Sequence, residues 1–287
     1  MNQLEKTLNM RDGKFTARDG LSLYWKAWLP DGTPKAVVHL ICGYAEHIGR
    51  YQNVVNELVP AGYAIFGKDH RGHGKSEGKR GHVESFQEYI DDERQFALEV
   101  IRPSFPDTPR FMHGHSMGSI IAINYVVLHQ DHLKGLVLSG TGSLPGKGIP
   151  KAIMVVTKIL SRILPGMHVK SPLPPEFISR DPDVVKAYVN DPLVYNVITP
   201  RLAEQMQTYL LIGAANAQRI SLPVLIQNGS ADTSFSGQQE LLDGIAANDK
   251  TFKLYEGLRH EVYNELPGDR ARVLSDLHAW LDGHLNK

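Results

Sequence analysis

Short apolar runs alternating with segments of helical length constrain this chain more than any other feature. Ala36–Ile41 is almost continuously apolar, and Tyr63–Gly67, Gly135–Ser139 and Leu222–Gln227 have the same character, with Lys250–Tyr255 as a last strand. Runs of this kind suit strands buried on both faces, which requires helices on both sides of a mostly parallel sheet. Tyr51–Pro60 and Val83–Arg102 carry apolar residues at helical spacing. Lys14–Ala17 and Leu21–Trp28 read as a hairpin turning at Asp19-Gly20. The expectation is an α/β fold with a mostly parallel central sheet.

The alternation breaks after Gly140. The rest of 143–211 has helix signals at Ile153–Leu164, Ser179–Pro182 and Arg201–Asn216, and no strand of the earlier type. The expected organisation is a core of residues 1–142 and 212–287 with a helical cap at 143–211, against the plainer alternative of further core helices. Phe235–Ala247 reads as a helix, and Asn264–Leu285 as a terminal helix broken near Pro267-Gly268.

The chain has 287 residues, enough for one large domain or a domain with an insertion. Lys plus Arg and Asp plus Glu are 31 each, so no net charge draws it to nucleic acid. A lone Cys42 excludes an internal disulfide and any all-cysteine metal site. The polar start lacks the apolar core of a signal peptide, and no stretch is long enough to span a bilayer. A cytoplasmic protein is the expectation, with peripheral contact at a membrane surface as its variant.

Arg110–Gly118 reads RFMHGHSMG and contains a G-x-S-x-G pentad, Gly114 to Gly118. An apolar strand follows one helix-length later, so Ser116 falls on a sharp strand-to-helix turn. A serine hydroxyl is a weak nucleophile, and needs a base within reach and N–H donors for the oxyanion. His260 follows the last strand and is the candidate base. Asp232 follows the Leu222–Gln227 strand and is the candidate acid to orient it; Asp249 precedes a strand and lies at the wrong end. The order Ser116, Asp232, His260 is that of α/β-hydrolases. Met117 is expected to give one oxyanion N–H, and Tyr44, in the loop after Ala36–Ile41, the other. Cys42 reads as a small buried residue rather than a rival nucleophile. Asp69 with His70 and His73 reads as a carboxylate tying down its own loop rather than a metal site. Gly72–Gly81 lacks a phosphate-binding spacing.

Taken in series, these motifs resemble the monoacylglycerol lipase and lysophospholipase branch of the α/β-hydrolases. Its HGxGEHxGRY loop is matched by Cys42–Tyr51, its D-x-x-GHG-x-S-x-G loop by Asp69–Gly78, and its GHSMGG elbow by Gly114–Ser119. Its acid and histidine loops end at Asp232 and His260. The resemblance implies hydrolysis of single-chain glycerol esters under a helical cap, with lysophospholipase or general carboxylesterase activity as alternatives. A non-catalytic binding protein of the same fold is the rival class. Cys42 stands for the usual histidine, Ala45 for the usual glycine, and Ser119 where glycine is common. No metal or organic cofactor and no obligate protein partner are expected. The partners expected are a small lipid ester and, through the apolar Ile149–Leu164 face, transient contact with a membrane surface. The alternative is that this face packs on the body.

Overall fold

The apolar runs become the middle of one eight-stranded sheet. The computed structural model describes residues 9–146, 151–171 and 174–285. The strands are β1 (Asn9–Thr16), β2 (Ser22–Leu29), β3 (Ala36–Ile41), β4 (Tyr63–Lys68), β5 (Arg110–His115), β6 (Gly135–Ser139), β7 (Val224–Gly229) and β8 (Lys250–Tyr255), in the order β1-β2-β4-β3-β5-β6-β7-β8. From β4 to β8 all neighbours are parallel, while β2 runs antiparallel to both β1 and β4. β1 begins at Asn9, ahead of the expected Lys14, because Met10–Asp12 pair as an exposed edge that apolar patterning does not mark.

Around the sheet lie α1 (Gln52–Leu58), α2 (Gln87–Phe96), α3 (Met117–His129), α4 (Lys151–Ile163), α5 (Pro182–Asn190), α6 (Pro200–Ala215), α7 (Gln238–Gly244) and α8 (Pro267–Gly283). Side chains alternate along each central strand. Val38, Leu40, Phe111, Val137 and Leu225 pack with Val54 and Leu58 of α1 and with Val273, Leu277 and Trp280 of α8. Met112, Leu136, Leu138 and Ile226 face the other way, onto Ile90 of α2, Ile120 and Ile121 of α3, and Leu241 of α7. Both faces are therefore covered, which is why these strands carry apolar residues on both faces. α3 is buried from Met117 to Val127, held between the sheet and α6.

Three expectations need correction at their ends. α2 starts at Gln87, not Val83, because Ser85 and Glu88 form a reciprocal cap: Gln87 N–H donates to Ser85 Oγ and Ser85 N–H to Glu88 Oε1. The expected helix at Phe235 begins instead at Gln238, since Phe235 and Ser236 pair with Pro145 and Leu144. The terminal helix is unbroken, with Pro267 as its first residue, where a proline costs no hydrogen bond.

Within 143–211 the described residues form α4, α5 and most of α6, with a two-residue ladder between Val169–Lys170 and Val197–Ile198. Residues 147–150 and 172–173 of this stretch, Ile149 among them, lie outside the described residues. α6 packs on both α3 and α4. The boundary expected at Leu211 falls inside α6, which continues to Ala215. Among the described residues no helix is long and apolar enough to cross a membrane.

Candidate active site

β3 is flanked by β4 on one side and β5 on the other, so the chain reverses its winding there. Such a switch opens a crevice at the carboxyl ends of the strands. Ser116 sits on that edge, between β5 and α3, with φ +53° and ψ −121°. Among the described non-glycine residues only Ala45 shares this strained positive φ. Flanking glycines are required sterically. A Cβ at Gly114 would collide with the Gly118 carbonyl, and one at Gly118 with the Ile41 carbonyl. The turn is pinned by Ser116 N–H donating to the Ser139 carbonyl at 3.0 Å.

Asp232 and His260 stand at the same edge, past β7 and β8. His260 Nδ1 lies 2.8 Å from Asp232 Oδ2, and Asp232 Oδ1 accepts the Ser234 N–H at 2.8 Å. The His260 ring lies 4.9 Å from the ring of His115, the residue before Ser116. Burial disfavours the imidazolium, but Asp232, with Glu261 and Glu46 behind it, outweighs burial and raises the His260 pKa above its ordinary 6.5. Burial likewise raises and His260 lowers the Asp232 pKa, with a net lowering. An ionised carboxylate here accepts from Nδ1–H and leaves Nε2 as the basic nitrogen. His115 shows the opposite case: burial, with His260 beside it, holds it down at about 3, so it stays neutral.

The loop after β3 lies against Ser116, where a Cβ on Gly43 would be 3.2 Å from Ser116 Cβ. The Gly43 N–H is taken by Glu46 Oε1 at 2.6 Å, so the Gly43 donor of this loop is already engaged. The Tyr44 hydroxyl donates to the Val197 carbonyl at 2.5 Å and so ties the loop to the 143–211 segment. Met117 is buried and opens α3, where first-turn N–H groups have no partner within the helix. Asp249, by contrast, pairs with His284 at 3.0 Å, away from His260.

The departures from the resembled pattern have local explanations. Ala45 has φ +63°, a conformation glycine adopts freely. Ser119 donates to the Ser116 carbonyl at 2.6 Å and is bonded to Thr141 Oγ1 at 2.8 Å, so its hydroxyl is satisfied inside the turn. Cys42 is fully buried, and burial followed by the charges of Glu46 and Asp69 pushes its thiol well up, which keeps it protonated and inert. Asp69 does tie down its loops, accepting from Ile48 N–H at 2.9 Å and Lys75 N–H at 2.8 Å.

Two features were not legible from the sequence. Arg50 bridges Glu46 at 2.6 Å and Glu261 at 2.7 Å, joining the Tyr44 loop to the His260 loop. Phe177 lies 5.1 Å from the His260 ring, and its carbonyl accepts the His260 N–H at 3.4 Å. Only the EHxGRY spacing, which puts Glu46 and Arg50 four residues apart, hinted at the first.

Residues 32–267 match the family model described as serine aminopeptidase, S33 (Hydrolase_4). A monoacylglycerol lipase from Mycolicibacterium smegmatis is 35% identical over 276 residues, covering 94% of this chain and 96% of the relative. The chain belongs to the monoacylglycerol lipase branch of the α/β-hydrolases. It is a carboxylic-ester hydrolase of the EC 3.1.1 type. A mouse monoglyceride lipase is 33% identical over 270 residues, covering 92% of this chain and 88% of the relative. The crystal structure of a Paleococcus ferrophilus monoacylglycerol lipase superposes with a TM-score of 0.78 at 29% identity, over 96% of this chain and all of that one (100%).

Proposed function

We propose that the chain hydrolyses monoacylglycerols through an acyl-enzyme on Ser116. His260 Nε2 takes the Ser116 proton as Oγ attacks the ester carbonyl, and Asp232 holds the imidazolium that forms. The oxyanion accepts from the Tyr44 and Met117 N–H groups. Collapse expels glycerol, which leaves with the proton from His260. Water, deprotonated by the same nitrogen, then releases the fatty acid and restores Ser116. The observation that carries this reading is the 2.8 Å His260–Asp232 bond on the strand edge that also holds the strained Ser116.

The 143–211 segment acts as the cap. Phe177 and Tyr195 support this: both come from that segment, the first with its ring 5.1 Å from that of His260 and the second 5.8 Å from that of Tyr44. α4 has two faces. Met154, Thr157 and Ser161 turn inward, whereas Ile153, Val156, Ile159 and Ile163 form an exposed stripe, Ile163 being 68% exposed. A stripe of this kind beside Lys158 and Arg162 suits transient seating on a lipid surface. The lone Cys42 fits a reducing compartment such as the cytoplasm.

Monoacylglycerol is favoured over lysophospholipid because Arg50 is engaged by Glu46 and Glu261, and Lys75, the other candidate cation for a phosphate, lies over the Tyr24 ring at 4.8 Å. The test is a kcat/KM series across acyl length and head group. Decanoyl or longer monoacylglycerol should exceed both acetate esters and the matched lysophosphatidylcholine. Rates highest for acetate, or a preference for the phospholipid, would overturn the substrate assignment.

A further inference from the structure

Beneath the Tyr44 loop lies a group of ionisable side chains that the mechanism above does not use. Lys68, His70 and Glu93 are fully buried and His39 nearly so. Lys68 Nζ pairs with Glu93 Oε1 at 2.9 Å, His39 Nε2 lies 2.7 Å from Glu93 Oε2, and Lys68 Nζ lies 3.3 Å from His70 Nδ1. On its other side, His70 Nε2 is 3.0 Å from the Cys42 carbonyl oxygen. A carbonyl only accepts, so Nε2 carries the proton; the bare Nδ1 then accepts from the Lys68 ammonium. Burial keeps His70 neutral, holding it down at about 4, in agreement with this tautomer.

The Cys42 carbonyl belongs to the peptide that leads into Gly43 and Tyr44. Its N–H half is held by Glu46 and its C=O half by His70. The same oxygen lies against Gly118 in the first turn of α3, so closely that a Cβ there would strike it. One peptide is thus wedged between His70 and the helix that begins with Met117. A buried Lys–Glu pair adds little stability over an apolar filling, so packing alone is a weak reason for this arrangement. Preorganised donors, by comparison, lose much of their effect when displaced by about an ångström.

We infer that His70 is a positioning residue: by holding the Cys42 carbonyl it fixes the spacing between the Tyr44 and Met117 N–H groups. Lys68 and Glu93 orient its ring from behind. The inference rests on the oxyanion reading proposed above.

The test compares His70→Gln, whose amide reaches the Nε2 position, with His70→Asn, whose amide stops short. Wild type and Ser116→Ala run beside them. The readouts are kcat and KM on 1-decanoylglycerol, inhibition by an alkyl trifluoromethyl ketone, which forms a tetrahedral adduct on serine, and melting temperature. His70→Asn should lose about 10–100-fold in kcat, with the ketone Ki rising in parallel and KM within about 3-fold, since oxyanion donors act on the transition state. His70→Gln should remain within about 5-fold of wild type on the same argument. Wild-type kcat and Ki in folded His70→Asn, equal impairment of both variants, or a loss confined to KM would overturn the inference. If His70→Asn does not fold, Glu93→Gln carries the test: a kcat loss of about 3–10-fold with Ki in parallel supports it, and an unchanged kcat overturns it. Activity surviving in Ser116→Ala would instead overturn the site reading itself. An inactive Ser116→Ala beside a wild-type His70→Asn overturns this inference alone.

Discussion

His260 Nδ1 and Asp232 Oδ2 meet at 2.8 Å although the two residues follow different strands, β7 and β8, that lie side by side and parallel. Because these strands end in register, Gly229 opposite Tyr255, the loops beyond them emerge together. The carboxylate then decides both the tautomer and the basicity of the imidazole. Asp232→Asn should lower kcat by about 10⁴. It should also move the rising limb of the kcat/KM–pH profile to lower pH, because removing the anion leaves burial to depress the His260 pKa. A limb that stays in place, or moves up, would contradict the pairing; the profile measured from pH 5 to 9 decides it.

Arg50 holds two largely buried carboxylates. Arg50→Met leaves Glu46 and Glu261 facing each other and should cost about 3–5 kcal/mol in urea unfolding. The pairing also sets an acid limit. Burial works against the Glu261 carboxylate, but Arg50 dominates and brings its pKa down to about 2, below the ordinary 4.5. The unfolded chain therefore binds more protons in that window, so this stability is present above 4.5 and lost as pH falls towards 2. Glu261→Gln should flatten that part of the stability–pH curve, and an unaltered slope would count against it.

Ala45 occupies a backbone conformation that side chains resist. Ala45→Gly should be neutral or stabilising by up to about 1 kcal/mol, with activity retained, whereas Ala45→Val should destabilise by about 1–3 kcal/mol. Thermal melts of the three proteins would show the order, and a valine variant as stable as wild type would contradict the strain at this position.

The exposed stripe of α4 is expected to matter for lipid surfaces and not for chemistry. Ile159→Glu with Ile163→Glu should weaken sedimentation with phosphatidylcholine–phosphatidylglycerol vesicles about 10-fold or more, since two apolar side chains at an interface contribute on the order of 1.5–3 kcal/mol each. Turnover of a soluble short-chain ester should stay within about 2-fold of wild type if the stripe acts only at the surface. Unchanged vesicle binding would remove the membrane from the account.

What could be read from the sequence divides along physical lines. The central strands were legible because both faces are covered, which puts apolar residues on both of them. That Ser116, Asp232 and His260 stand at one edge was legible because each follows a predicted strand, and the carboxyl ends of parallel strands lie along the same edge. Phe235 was not, since its partner Pro145 lies far back in the chain and only tertiary pairing turns it from helix to extended backbone. Gly237, at φ +73°, marks where the helix can finally begin. The Arg50–Glu261 pair, 211 residues apart, has no local signature. His70 was visible as a residue but not as a donor to Cys42, because nothing in Asp69–Gly78 shows which backbone oxygen it faces.

The central claim is that Ser116 carries the acyl group. The most direct measurement is kcat/KM on 1-decanoylglycerol for wild type and Ser116→Ala, with intact-protein mass spectrometry after exposure to an alkyl fluorophosphonate. The account predicts a loss of about 10⁴ or more in the variant and a single phosphonyl adduct on wild-type Ser116 that the variant lacks. Comparable turnover in the two proteins, or an adduct that persists without Ser116, would contradict it.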